Sequence, residues 1–282
     1  MTIGVFDSGV GGLSVHRALV ERLPRADFIY LADQANAPYG GYAGEQIVAL
    51  TREGCVRLFE AGAGLVVLAC NTASAIALRR LQQTWLPGYR AALGRPINIL
   101  GLIVPTIEAA TGVPWTHEAE QSEKVEAVDV IGVFSTPATA ASRVYEIEID
   151  KRRQDVAVFS EPCPALARMI EAGADRETLR ATIDGHVAAL TRRIGRAPDR
   201  AILGCTHYEI VAELFVEALG PKVALIHQPS AVADALERYL ARHGEFAPGA
   251  GAGRRFLTTG EPGLSTALVE TFWGAPVRFE RA

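Results

Sequence analysis

Lysine is almost missing from this 282-residue chain: Lys124, Lys151 and Lys222 are the only three, and none sits in a polar motif at a strand end. Pyridoxal phosphate chemistry needs a Schiff-base lysine, so it is not expected here. Metal-ligand spacing is lacking as well. The six histidines form no HxH, HExxH or Cys/His set, and no metal or cofactor is expected. Cysteine is sparse, and Cys55, Cys70, Cys163 and Cys205 make no CxxC pair; in a reducing compartment they stay thiols. No apolar run reaches the ~20 residues that cross a bilayer. The opening "IGVFDSG" has none of the regions of a secretory signal, so a cytoplasmic protein without a membrane partner is expected. Strong positive charge is absent too: the net charge of −4 gives no broad face for nucleic acid. The small basic patch Lys151–Arg153 reads as a solvated turn.

What is present is an alternation. "TIGVF", "FIYLA", "GLVVLA", "NILGLIV", "VDVIGVF", "VAVFS", "DRAILG" and "KVALIH" are short apolar runs, each followed by a helix-compatible segment. Strand then helix, repeated, predicts βαβ units with mainly parallel sheets flanked by helices. With 49% hydrophobic residues the chain can bury a sizeable core. The segment "LPGYRAALGRP" reads as a lengthened surface connection, and "VPWTHEAEQSEKVEA" is polar enough for a mobile loop.

The chain also repeats itself. "IGVFDSG" at Ile3 is echoed 128 positions later by "IGVFSTP" at Ile131, and "FIYLAD" at Phe28 precedes "VAVFSE" by the same 128. "LACNT" at Leu68 answers "LGCTH" at Leu203, 135 later, and "LIVPT" at Leu102 answers "IHQPS" at Ile226, 124 later. Four landmarks in one order predict two pseudo-symmetric α/β domains. The first is expected to span 1–103 and 227–282, with the second, 104–226, inserted in it.

The repeat changes the reading of two cysteines. Cys55 lies in a helical pattern and Cys163 between two prolines, so both read as core or structural residues. Cys70 and Cys205 both end an apolar run just before a helix start, where ligands bind in open parallel sheets and where free N–H groups favour a thiolate. Thr72, Ser74 and Thr206 are plausible caps there. If the halves face each other, the active site lies in the cleft between them, with one thiol on either side. A thiolate and a thiol on opposite faces of a substrate can remove a proton from carbon and return one on the other side, which inverts a stereocentre. Asp7 would tune Cys70 and His207 would tune Cys205; His207 also fits a core histidine bonded to a carbonyl. "DSGVGG" makes an anion loop, with Asp7 and Ser8 directly after the first strand. Its spacing does not fit a dinucleotide fingerprint, for which Asp33 or Glu45 would have to serve as the ribose acid.

"IGVFDSGVGGLSV", "APYGG", "VVLACNTASAIAL", "IGVFSTPATAAS", "PCPAL", "IEAG", "LGCTHYEIV" and "FLTTG" together resemble the glutamate racemases of the aspartate/glutamate racemase superfamily, over nearly the whole chain. The resemblance implies cofactor-independent interconversion of L- and D-glutamate, supplying D-glutamate for peptidoglycan. It implies that Cys70 acts on D-glutamate with help from Asp7, and Cys205 on L-glutamate with help from His207 and Glu171. Ser8, Tyr39, Gly40, Asn71, Thr72, Thr136, Thr139 and Thr206, with Asp7 and His207, would hold the substrate. A homodimer is expected. The alternatives are a racemase for aspartate or another acidic amino acid, and a binding protein such as a DNA gyrase inhibitor, which no feature of the sequence indicates. Three positions depart from the family pattern: Gln34, Ser135, and Glu209 where proline is usual. Glu209 puts a carboxylate near the second helix start, where it would raise the pKa of Cys205.

Overall fold

A computed structural model describes residues 1–115, 129–263 and 266–282. Most of the polar segment 113–127, including Lys124, lies outside the described residues. Among those described, the strands are β1 (Thr2–Asp7), β2 (Asp27–Ala32), β3 (Ala63–Leu68), β4 (Asn98–Gly101), β5 (Asp129–Ser135), β6 (Val156–Pro162), β7 (Arg200–Gly204), β8 (Ala224–Ile226), β9 (Arg254–Thr258) and β10 (Glu280–Arg281). They form two sheets, ordered β10-β9-β2-β1-β3-β4 and β6-β5-β7-β8. Every pairing in both is parallel. The chain separates into two compact units, Met1–Leu102 with Pro229–Ala282, and Ile103–Gln228.

The order β2-β1-β3-β4 recurs as β6-β5-β7-β8, so the sequence repeat is a repeat of topology. The strands are apolar because helices cover the sheets, as parallel sheets require. All six residues of β3 are buried. Helix Gly44–Glu60 lies against β1 and β3 through the stripe Ile47, Thr51, Gly54, Cys55, Leu58 and Phe59, which has helical period. Gly54 sets how close it comes, since a Cβ there would stand 2.1 Å from the Phe6 ring. Cys55 is fully buried in that stripe.

In the second unit, helix Arg176–Ile194 buries Leu179, Ile183, Val187 and Leu190. Asp175 caps it by accepting the Thr178 N–H at 2.9 Å, and Gly195 ends it at φ 84°, the start and stop chemistry expected of a stable helix.

Four expectations need correction. "LPGYRAAL" is a helix, Leu86–Leu93, ended by Gly94 at φ 62°; Pro87 suits a first turn, and Trp85 stacks on Tyr89 at 4.8 Å. "NILGLIV" is not one strand, because β4 stops at Gly101 and Ile103 starts the helix Ile103–Thr111. The patch at 151–153 is not simply solvated: Arg152 is buried, with its guanidinium over the Trp115 ring at 3.4 Å, a desolvated cation–π contact. Thr72, Ser74 and Thr206 are not caps, since Cys70 and Cys205 themselves occupy the cap positions. No helix among the described residues is long and apolar enough to cross a membrane.

Candidate active site

Polar side chains gather at the carboxyl ends of the strands. In the first unit, Asp7 ends β1 fully buried, and its Oδ2 accepts the N–H groups of Gly9 and Gly12 at 3.1 Å each. The glycine loop is therefore folded around a carboxylate of the chain itself. Tyr30 braces the same loop by donating to the Gly9 carbonyl at 3.0 Å. Ser8 Oγ lies 3.3 Å from the sulfur of Cys70, because β1 and β3 run side by side with Phe6 opposite Leu68.

Cys70 has extended backbone (φ −102°, ψ 124°) and caps helix Asn71–Ile76, its sulfur accepting the Ala73 N–H at 3.4 Å. A backbone donor and a hydroxyl thus meet at one sulfur, a setting that stabilises negative charge on it. Asn71 and Thr72 are buried directly beside it in the chain. Tyr39 donates to Asp33 Oδ2 at 2.5 Å. Burial, then the Asp33 carboxylate, then negative charge at Cys70 and Asp7 push the Tyr39 phenol far above its ordinary range; it is a donor at any working pH. Asp33 is held in turn by Asn36 at 3.0 Å and by Thr259 at 2.7 Å. Gly40 is half-buried in the turn Tyr39–Gly41.

In the second unit Cys205 follows β7, the counterpart of β3. The residues after it form a 3-10 turn, Thr206–Val211, and no backbone N–H caps onto its sulfur. The neighbour is instead His207, whose Nδ1 is 3.8 Å from the sulfur and whose Nε2 is 2.8 Å from Glu171 Oε1. Burial works against a charged imidazole there, but the bonds and charges of Cys205 and Glu171 outweigh it and lift His207 to about 10. Sulfur, imidazole and carboxylate stand in one line, the order of a nucleophile or base with its orienting partners. Thr136 caps helix Pro137–Ser142 by accepting the Thr139 N–H at 3.3 Å, and its hydroxyl bonds that of Thr139 at 3.0 Å. Thr206 and Thr139 are buried.

The proposed residues thus divide between the units: Asp7, Ser8, Tyr39, Gly40, Asn71 and Thr72 share a unit with Cys70, and Thr136, Thr139, Glu171, Thr206 and His207 share one with Cys205. Cys163 is buried, and burial, then Glu161 and Cys205, push its thiol up. Cys55 is pushed up by burial alone. Glu45 is exposed and pairs with Arg80, away from any role as a ribose acid. Glu209 does not turn to Cys205: its carboxylate accepts from His227 Nδ1 at 3.1 Å and from the Gln228 N–H at 3.0 Å.

Sequence reasoning missed the Asp33–Tyr39–Thr259 hub and a buried network in which Gln228 Nε2 donates to Thr106 Oγ1 and Tyr145 Oη at 3.0 Å each. Thr259 was foreshadowed only as part of "FLTTG". No group of three or more His, Cys, Asp or Glu side chains among the described residues could hold a metal.

No protein-family model matches the chain. Individual proteins do. A glutamate racemase of Phenylobacterium zucineum is 75% identical over 283 residues, spanning all of both chains. One from a Caulobacter species is 76% identical over 283 residues, again over all of both. Among solved structures, a glutamate racemase of Bacillus anthracis matches with a TM-score of 0.85 at 29% identity, covering 100% of this chain and 97% of that one. A glutamate racemase of Francisella tularensis, solved in complex with D-glutamate, matches at 0.83 and 26% identity, with coverage of 100% and 97%.

Proposed function

The chain belongs to the glutamate racemase family, enzymes that interconvert the enantiomers of glutamate, and from that premise we propose that Cys70 and Cys205 are the two bases of the reaction. The Cys205 thiolate removes the α-proton of L-glutamate, and the electron pair stays on the carbon beside the carboxylate. The Cys70 thiol then gives its proton to the opposite face, producing D-glutamate with Cys205 as thiol and Cys70 as thiolate. The reverse reaction exchanges the roles. No cofactor takes part, and residues of both sets bind the substrate.

The observation that carries this reading is the placement of both cysteines after corresponding strands, β3 and β7, of a repeated sheet. Their surroundings differ in kind. Ser8 and a helix N–H attend Cys70, whereas His207, oriented by Glu171, sets positive charge beside Cys205. Asp7 organises the loop that carries Ser8. Tyr39, Gly40, Asn71, Thr72, Thr136, Thr139 and Thr206 hold the carboxylates and ammonium with neutral donors and acceptors. The D-glutamate formed serves peptidoglycan synthesis, and the working form is a homodimer.

Single-thiol variants test the assignment. Cys70→Ser and Cys205→Ser should each lower racemisation of L-glutamate by about 10²–10⁴-fold under reducing conditions, the range for losing a positioned acid or base. Full activity in either variant removes that thiol from the mechanism, and turnover of aspartate in preference to glutamate would reassign the substrate.

A further inference from the structure

Glu209 stands four residues after Cys205, in the same 3-10 turn as Thr206 and His207, and the mechanism above does not use it. Its side chain is only 10% exposed. The carboxylate reaches across 19 positions to accept the Gln228 N–H at 3.0 Å and, with its other oxygen, faces His227 Nδ1 at 3.1 Å. Gln228 opens helix Gln228–Arg242, and a carboxylate on the free N–H of a first helical turn is a favourable pairing. The side chain of Gln228 is itself fully buried and bonds Thr106 of helix Ile103–Thr111 and Tyr145 of helix Val144–Asp150. Negative charge at Cys205 contributes to raising the Tyr145 phenol, after burial, so the buried end of this network lies within electrostatic reach of the sulfur.

We propose that Glu209 is a positioning residue for the Cys205 half of the reaction, tying the Thr206–Val211 turn to His227–Gln228 and thereby fixing His207 and Thr206 relative to the sulfur. The inference rests on reading Cys205 as the base for L-glutamate. The turn has no capping bond to the Cys205 sulfur of the kind that locks Cys70 to its helix. Glu209 supplies an anchor from the other end. A misplacement of the His207 turn by a fraction of an ångström raises the barrier at Cys205 and leaves Cys70 alone, since positioning errors act on the step whose atoms they move.

That asymmetry is measurable. Enantiomers have equal free energy, so a variant must change kcat/KM equally in both directions. The isotope effects need not follow. When the Cys205 step becomes the higher barrier, 2-deuterated L-glutamate shows a larger effect on kcat/KM, because its C–D bond breaks in that step. 2-Deuterated D-glutamate shows a smaller one, because its C–D bond breaks at Cys70 beforehand. We expect Glu209→Ala to lower kcat/KM about tenfold in both directions with this opposite movement of the two isotope effects. Glu209→Asp keeps the charge but not the reach and should behave likewise, and it serves if the alanine variant does not fold. Glu209→Gln keeps an acceptor for the Gln228 N–H and a donor for His227, and should restore both rate and isotope effects. Wild-type rates and isotope effects in the alanine and aspartate variants overturn the proposal. So does a slower enzyme whose two isotope effects stay unchanged, which marks a structural loss. Cys205→Ser is run in parallel: racemisation retained there defeats the two-thiol reading itself, whatever Glu209 does.

Discussion

His16 shows how far a residue's surroundings can depart from its sequence context. It lies fully buried on helix Leu13–Arg22, and neither ring nitrogen has a hydrogen-bond partner among the described residues. Four rings enclose it: Trp273 at 4.8 Å, Tyr30 and Phe256 at 5.4 Å and Phe28 at 5.5 Å. Burial, and then the charge of Arg254, lower its pKa from 6.5 to about 3. The folded form therefore holds His16 neutral, and the unfolded chain takes up the proton. Its contribution is whole above pH 6.5 and is lost as the pH falls from 6.5 toward 3. Between pH 7 and pH 5 the loss from this group is about 2 kcal/mol. In His16→Leu, of similar volume, the fall in the denaturant midpoint between those pH values should shrink accordingly; a fall as steep as in the wild type would show that His16 is not the acid-sensitive group. His207 has the opposite sign, being raised to about 10, so what it adds is present below 6.5 and disappears as the pH rises through 10. The sequence offered no hint of the His16 cage, because the rings come from positions 28, 30, 256 and 273. Cys55 was legible, since its own helix period puts it on the buried stripe.

At the scale of the element, the loop after β1 carries the site's first polar group through a close approach. A Cβ on Gly12 would stand 2.7 Å from Asp7 Cβ and 2.9 Å from its Cγ, distances that side-chain packing does not tolerate. Gly12→Ala should therefore push Asp7 aside, break the two N–H bonds that hold it and shift Ser8 away from Cys70. We expect a loss of at least about tenfold in kcat with a smaller change in KM, since in the proposed mechanism Ser8 attends the sulfur that exchanges the proton. Unchanged kcat in a folded Gly12→Ala enzyme would mean that Asp7 and its loop do not govern Cys70. The sequence announced this loop by its glycines and its acid, but misplaced the caps that follow β3 and β7. Serine and threonine are among the preferred caps, so propensity favoured Thr72, Ser74 and Thr206. The strand ends at Leu68 and leaves Cys70 extended, which brings its sulfur to the Ala73 N–H. The short helix Leu86–Leu93 was hidden by its proline and glycine, which there mark its beginning and end.

For the whole molecule, the strand order β2-β1-β3-β4 recurring as β6-β5-β7-β8 explains why a single chain carries the same cysteine motif twice. That was legible because parallel sheets keep chemistry at their carboxyl ends, so the repeat sits in the residues that matter. What the repeat could not convey is how the copies differ. β9 and β10 widen the first sheet and have no equivalents in the second among the described residues, and Asp33 meets Thr259 through β9 beside β2. Likewise Cys70 is capped by backbone while Cys205 leans on His207, Glu171 and, through the turn, Glu209. These contacts span between 2 and 226 positions, and the longer ones leave no local periodicity to read. Two thiols of unlike surroundings performing mirror-image steps is the central claim, and the distribution of solvent deuterium tests it most directly. L-Glutamate is incubated in deuterated water and sampled while conversion is small. If Cys205 removes the proton and Cys70 delivers another, the D-glutamate formed carries deuterium at Cα and the remaining L-glutamate keeps its protium. D-Glutamate that retains the substrate's own proton, or label entering the remaining L-glutamate as fast as it enters product, would mean a single base serving both faces.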